Sequence, residues 1–151
     1  MASEKVQDGV YFIQNIGTGE VMDLLNASNA KDTTVQGFVK REPTDTWVPA
    51  QLWVISERSD HYRIESAVRS HLELSSATGD VVCNAETNNS NQKWKIYRNS
   101  NKTAYVIQNV DTGTYASLGS GSVTNYPKIV GASGSGAATT DSKQLWLIVR
   151  V

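Results

Sequence analysis

The sequence predicts an all-β fold of twelve short antiparallel strands in three pseudo-symmetric repeats. Three observations carry that expectation. A tyrosine-led strand recurs three times, and a Gln-x-Trp triplet recurs three times behind it. No window sustains the 3.6-residue apolar period with caps that a long helix requires.

The tyrosine-led segments are Tyr11-Phe-Ile-Gln-Asn-Ile-Gly-Thr-Gly19, Tyr62-Arg-Ile-Glu-Ser66 and Tyr105-Val-Ile-Gln-Asn-Val-Asp-Thr-Gly113, the first and third nearly identical. The closing triplets are Gln51-Leu-Trp53, Gln92-Lys-Trp94 and Gln144-Leu-Trp146, each running into an alternating apolar strand. The repeats therefore span approximately residues 8–58, 59–99 and 100–151 of a single domain covering 1–151. Strands of about five residues, separated by Gly, Asn, Ser and Thr clusters, are expected inside each. In the first repeat they are Val10–Ile16, Val21–Leu25, Thr34–Val39 and Leu52–Ser56. The Gly/Ala/Ser/Thr run from Gly131 to Thr140 is too poor in apolar residues to pack and reads as a mobile loop.

Four strands per repeat fit either a propeller blade or a β-trefoil. A propeller needs about four blades or more, so three repeats point to the β-trefoil, a barrel closed by hairpins that leaves no free edge. Trp53, Trp94 and Trp146 then form a threefold layer in the core, each burying a large ring while its N–H finds an acceptor. The adjacent glutamines hold a loop to the barrel. Three Gln-x-Trp triplets, with tryptophans 41 and 52 residues apart, resemble the ricin-B-type lectin family over the whole chain. The small fungal lectins of that family match it in length and in their lack of disulfides.

Composition excludes several other classes. The chain has 151 residues, 39% hydrophobic and 19% charged, with a formal net charge of −1. That balance gives no electrostatic footprint for nucleic acid or an anionic membrane, and no run approaches the roughly 20 apolar residues of a membrane span. The polar start, Met1 to Asp8, lacks a signal-peptide core, so a cytoplasmic location is expected. The three Asn-x-Ser/Thr sequons at Asn26, Asn88 and Asn101 are then chance matches. Cys83 is the only cysteine, so no intrachain disulfide forms.

Sugar recognition needs side chains that bridge neighbouring hydroxyls and an apolar plate facing the C–H side of the ring. A short carboxylate suits the first role and an aromatic ring the second. The resemblance implies an aspartate ending the second strand, an aromatic fifteen positions on and an asparagine before Gln-x-Trp. The first repeat supplies Asp23, Gln36, Gly37 and Phe38 at matching offsets, but Ala50 stands where the asparagine belongs. Asp23 reads as a partly exposed carboxylate contributing little to the core, or as an Asx-type turn residue leading into Asn26. Phe38 is either the stacking plate or a core-facing residue. Gly37 leaves the approach unobstructed. Trp47 lies on a loop longer than the pattern expects, where it serves either as a second platform or as a pin for the loop. In the second repeat Glu73 takes the aspartate's place, Asn84 the aromatic's and Asn91 the asparagine's, a weaker candidate site. The third repeat has Ser117, Ala132 and Lys143 and has lost all three roles.

No metal, cofactor or catalytic centre is expected. His61 and His71 form no zinc-ligand spacing. Cys83 sits in an apolar strand and reads as a small buried hydrophobe. No carboxylate pair is singled out for glycoside hydrolysis. The expected partners are glycans or glycoconjugates, with galactose and N-acetylgalactosamine termini implied by the resemblance. Agglutination by a one-site protomer requires at least a homodimer. Two other readings stand. One is a protease inhibitor presenting Asn26–Asp32 or Arg41–Pro49, the second loop stiffened by Pro43 and Pro49. The other is a lectin-like subunit that has lost its sugar site.

Overall fold

A computed structural model describes residues 5–120 and 126–151. Twelve strands run in chain order as β1 Gly9–Asn15, β2 Val21–Leu24, β3 Thr33–Phe38, β4 Trp53–Glu57, β5 Tyr62–Ser66 and β6 Leu72–Ala77, then β7 Asp80–Ala85, β8 Trp94–Arg98, β9 Tyr105–Asn109, β10 Tyr115–Leu118, β11 Ile129–Ala132 and β12 Trp146–Arg150. The helical pieces among the described residues are single 3-10 turns. The four strands expected in the first repeat are all present, their ends shifted by about one residue.

Six strands close a ring. β1 pairs with β4, β4 with β5, β5 with β8, β8 with β9, β9 with β12 and β12 with β1, all antiparallel. Every barrel strand therefore has two neighbours, and no ladder of unpaired N–H and C=O groups is left at an edge. The remaining strands form three hairpins, β2–β3, β6–β7 and β10–β11, which meet one another through β3–β7 and β7–β11. A six-stranded barrel capped by three hairpins is the β-trefoil.

The repeated residues make the repeated joints. The Nε1–H of Trp53 donates to the Met22 carbonyl at 3.0 Å, that of Trp94 to Leu74 at 2.9 Å and that of Trp146 to Ala116 at 2.9 Å. Each indole thus fastens its own hairpin to the barrel, and the three rings are 0–1% exposed. They sit in a core completed by Ile13, Leu24, Ile55, Ile64, Leu74 and Ile107.

The near-identical first and third segments are explained by their turns. Asn15 accepts the backbone N–H groups of Gly17 and Thr18 on its Oδ1, and Asn109 does the same for Asp111 and Thr112. Gln14 and Gln108 each donate to the carbonyl of the closing glycine. Gly19 (φ +80°) and Gly113 (φ +72°) adopt the left-handed backbone that glycine reaches at least cost.

The run from Gly131 departs from its expected loop character. Gly131 and Ala132 lie on β11, opposite Ala116 and Tyr115. Gly136–Ala138 forms a 3-10 turn, and the Ala137 carbonyl accepts both the backbone N–H and the hydroxyl of Ser100. Backbone pairing holds the segment where side chains offer little to bury.

Candidate functional site

The β2–β3 hairpin sets the floor of a pocket. Asp23 lies directly opposite Gln36 in the ladder, Met22 opposite Gly37 and Val21 opposite Phe38. Strand alternation sends Met22, Leu24, Val35 and Gly37 toward the core and leaves Asp23, Gln36 and Phe38 on the outer face. A loop of the same repeat supplies the opposite wall, so Asp23, Gln36, Phe38 and Trp47 share one cavity of about 180 Å³ with Asn26 and Arg41.

Asp23 is only 5% exposed. Its Oδ1 accepts from Gln36 Nε2 at 3.2 Å and its Oδ2 from Gln51 Nε2 at 3.1 Å. Burial raises its pKa above the ordinary carboxylate value, an effect opposed by the bonds from Gln51 and Gln36 and by the charge of Arg41. The expectation of a partly exposed carboxylate gives way to one clamped between two amides. Each oxygen still has a lone pair for a further donor.

Gln51 is fully buried and makes three ties at once. Besides Asp23, its Nε2 donates to the Val39 carbonyl at 2.9 Å, and its Oε1 accepts the backbone N–H of Arg41 at 2.8 Å. The loop after Arg41 is braced further. Arg41 Nη1 lies 3.3 Å from Asp45 Oδ2, Asp45 Oδ1 accepts the Trp47 N–H at 2.7 Å, and Pro49 stiffens the turn that follows. Trp47 stays 55% exposed on this rigid support.

The two aromatic candidates divide in their surroundings. Phe38 already carries contacts: the Arg41 guanidinium lies 5.1 Å from its ring centroid and the Tyr126 ring 4.4 Å away at 41°. Among the described residues Trp47 makes no such ring contact, and at 55% exposure it is the open one.

Gly37 does not line the pocket. A Cβ built there would come 2.6 Å from Leu118 Cδ1 and 3.3 Å from Pro127 Cγ, and its N–H donates to the Pro127 carbonyl. Glycine is needed at this place for packing against the third hairpin, which corrects the expectation that it clears an approach.

Sequence reading missed Asn26 and Arg41 as pocket residues. Asn26 has φ 55° in the 3-10 turn Leu25–Ala27 that follows β2, a left-handed conformation that Asn tolerates better than most residues. Arg41 belongs to a loop without periodicity, and individual contacts set its place: its N–H donates to Gln51 and its guanidinium meets Asp45 and the Phe38 ring.

The second-repeat candidates are not gathered around one cavity. The carbonyl that takes the indole bond fixes the equivalence of positions: Asp23 follows Met22, and Ser75 follows Leu74. Gln92 Nε2 correspondingly donates to Ser75 Oγ at 3.1 Å. Ser75, not Glu73, therefore occupies the aspartate's place. Glu73 lies two residues earlier, with Oε2 2.8 Å from Arg63 Nε, in a depression shared with Arg58, His61 and Lys93. Asn84 stands opposite Glu73 in the ladder, but its amide exchanges two bonds with Asp32. Asn91 donates to the Ser76 carbonyl.

Cys83 is fully buried, and burial pushes its thiol far above the ordinary range. Among the described residues no group of three or more His, Cys, Asp or Glu side chains could hold a metal ion, and no helix is long and apolar enough to cross a membrane.

A family model described as a ricin-type beta-trefoil lectin domain-like domain matches residues 49–132, more than half of the chain. No curated protein matches the sequence. Among solved structures, the Rhizoctonia solani agglutinin superposes with a TM-score of 0.76 at 18% identity, covering 99% of this chain and 100% of that one. A ricin B-like lectin of Macrolepiota procera, solved in complex with lactose, gives 0.71 at 20% identity, with 99% and 100% covered. A mosquitocidal holotoxin gives 0.80 at 24% identity over 97% of this chain, which spans only 18% of the holotoxin's length. At these identities the likeness to the solved structures is one of fold.

Proposed function

The chain belongs to the ricin-type beta-trefoil lectin domain-like family, and from that premise we propose that it is a carbohydrate-binding protein whose site is the first-repeat pocket. The observation that carries this reading is the convergence of a clamped carboxylate, Asp23, with an open indole, Trp47, on one small concave surface. Ligand sites combine apolar walls with a few fixed polar groups in this way.

Asp23 accepts hydrogen bonds from two neighbouring hydroxyls of a terminal sugar, using the lone pair left on each oxygen. Gln36, Asn26 and Arg41 offer further donors around the rim. The amide of Asn26, which has no side-chain hydrogen bond among the described residues, stands in for the asparagine absent at Ala50. Phe38 closes one wall and Trp47 meets the apolar face of the ring. Galactose- and N-acetylgalactosamine-type termini are the proposed ligands. The second repeat offers Ser75 and Asn84 at the corresponding places and the third Ser117 and Ala132, so the protomer has one site.

A glycan array, followed by NMR titration with the best-bound glycan, tests the proposal. A shallow site of about 5 kcal/mol corresponds to a Kd near 0.2 mM. Asp23→Ala removes a charge-assisted acceptor, worth roughly 1.5–3 kcal/mol, and binding should fall below detection, whereas Ser117→Ala should leave it unchanged. Undiminished binding by folded Asp23→Ala protein would refute the site. A blank array beside inhibition of trypsin or papain would instead move the function to the loops Asn26–Asp32 and Arg41–Pro49.

A further inference from the structure

Trp47 borders two depressions. Ala27, Trp47 and Ala50 line the inner pocket and also an outer depression, where Thr46, Pro49, Ala67 and Val68 complete the lining. The outer one measures about 510 Å³ against about 180 Å³ for the inner. We propose that the outer depression is a second saccharide subsite, so that the protein takes a disaccharide or longer glycan, with the terminal ring on Asp23 and the following ring packed along Trp47.

The inference rests on the sugar-binding reading of the inner pocket and extends it by three observations. The depressions adjoin, sharing Ala27, Trp47 and Ala50, and two of these shared residues are small: Ala27 and Ala50 have no side chain beyond Cβ, and Ala50 occupies the place where an asparagine was expected. The chemistry changes across the partition. The inner pocket holds Asp23, Gln36, Asn26 and Arg41, whereas the side chains lining the outer one are apolar apart from the Thr46 hydroxyl and the Trp47 indole N–H. Such a surface receives the C–H face of a second ring and leaves its hydroxyls in water, and its size is excessive for a lone acetyl methyl. The partition is also rigid. Asp45 and Pro49 brace Trp47, and Asn26 and Ala27 hold consecutive left-handed conformations at φ 55° and 51°. Ala rarely adopts that backbone, and strain of this kind persists where a clamp needs fixed geometry.

The test compares methyl β-galactoside, lactose and p-nitrophenyl β-galactoside by NMR titration of the full chain and of Ala67→Leu. Ala67 is exposed and lines only the outer depression, so the substitution fills that space without touching Asp23. Lactose is expected to bind roughly tenfold more tightly than the methyl glycoside, the scale of one aromatic stacking contact. Ala67→Leu should abolish that advantage and leave methyl β-galactoside binding unchanged. Equal affinities for lactose and methyl β-galactoside in the unmodified protein would overturn the subsite while leaving the inner site intact. A nitrophenyl glycoside as tight as lactose, and equally weakened by Ala67→Leu, would overturn the choice of a sugar as occupant. Binding of none of the three would overturn the galactose-type reading and the subsite with it.

Discussion

The buried amide of Gln51 reaches Asp23 Oδ2 at 3.1 Å, so a residue of the barrel signature is also what presents the carboxylate of the candidate site. Its counterparts share the scaffold role and differ in what they present. Gln92 finds the hydroxyl of Ser75 and the carbonyl of Ala85, and Gln144 finds the carbonyl of Ser133. One architectural residue thus appears three times, and only in the first repeat does it hold an anion in place.

Gln51→Leu separates the two roles. The substitution leaves Asp23 Oδ2 and the Val39 carbonyl without their donor and the Arg41 N–H without its acceptor. The buried Asp23 oxygen so orphaned costs about 1–3 kcal/mol, and the two part-buried backbone groups add less. Urea denaturation should show a loss of at least that size, and glycan affinity should fall because Arg41 and Asp23 are no longer fixed. Gln92→Leu should lower stability similarly with affinity unchanged. Equal affinity in both variants would show that Gln51 does not position the site.

Asp23 makes both binding and stability depend on pH. Its folded-state pKa is raised, chiefly by burial, so the folded protein holds this proton more tightly than the unfolded chain does. The stabilising contribution is therefore fully present below the ordinary aspartate value and is lost as pH rises through the raised one. Glu73 is raised as well, by burial against the opposing charge of Arg63, so the comparison must isolate Asp23. The difference in unfolding free energy between the native protein and Asp23→Asn should shift in favour of the native protein on the acid side. Glycan affinity should run the other way, weakening as pH falls through the raised value, because the neutral acid loses its acceptor strength. A binding profile flat down to the ordinary carboxylate range would rule out Asp23 as the acceptor.

Trp94→Ala probes the threefold layer. The ring is 1% exposed, and its N–H is satisfied by the Leu74 carbonyl. Truncation opens a cavity and orphans that carbonyl, at a cost of about 3–5 kcal/mol, a large part of a domain's stability. Chemical denaturation measures it directly. A loss under about 1 kcal/mol would mean that the indole does not fasten its hairpin.

The sequence carried the barrel legibly because the same physics writes it three times. A buried indole with one acceptor and a glutamine two residues before it recur in all three repeats, and an Asn-centred turn recurs in the first and third, with Ser66 in its place in the second. Asp23, Gln36 and Phe38 were legible too, since ladder register ties their spacing to one hairpin. Hairpin length concealed the second-repeat equivalence. The β6–β7 turn is short, centred on Thr78 and Gly79, so the fifteen-residue offset from Asp23 to Phe38 does not carry over to the second repeat, and the ladder puts Ser75 where Glu73 was expected. Arg41 and Asn26 were hidden because loop conformation follows from individual hydrogen bonds and left-handed residues, not from periodicity. The pairing of Gly131 with Ala116 was hidden because it is made by backbone alone.

Gly37 gives the last prediction, and it separates packing from recognition. If this glycine served to clear an approach for the sugar, a methyl group there would weaken binding before it weakened the fold. The structure argues the reverse. The added Cβ would lie 2.6 Å from Leu118 Cδ1, a side chain only 4% exposed, with Pro127 Cγ close behind at 3.3 Å. Leu118 and Pro127 are both buried, so the change is one of overpacking, which costs about 1–3 kcal/mol. Gly37→Ala should lower the denaturation midpoint accordingly, while the protein that remains folded titrates with unchanged affinity. Combining it with Leu118→Ala should restore part of the loss, giving a total smaller than the sum of the single changes, as contacting residues do. Additive losses in that cycle would mean that the β2–β3 hairpin and Leu118 are not in contact. Weakened glycan binding at full stability would return Gly37 to the site.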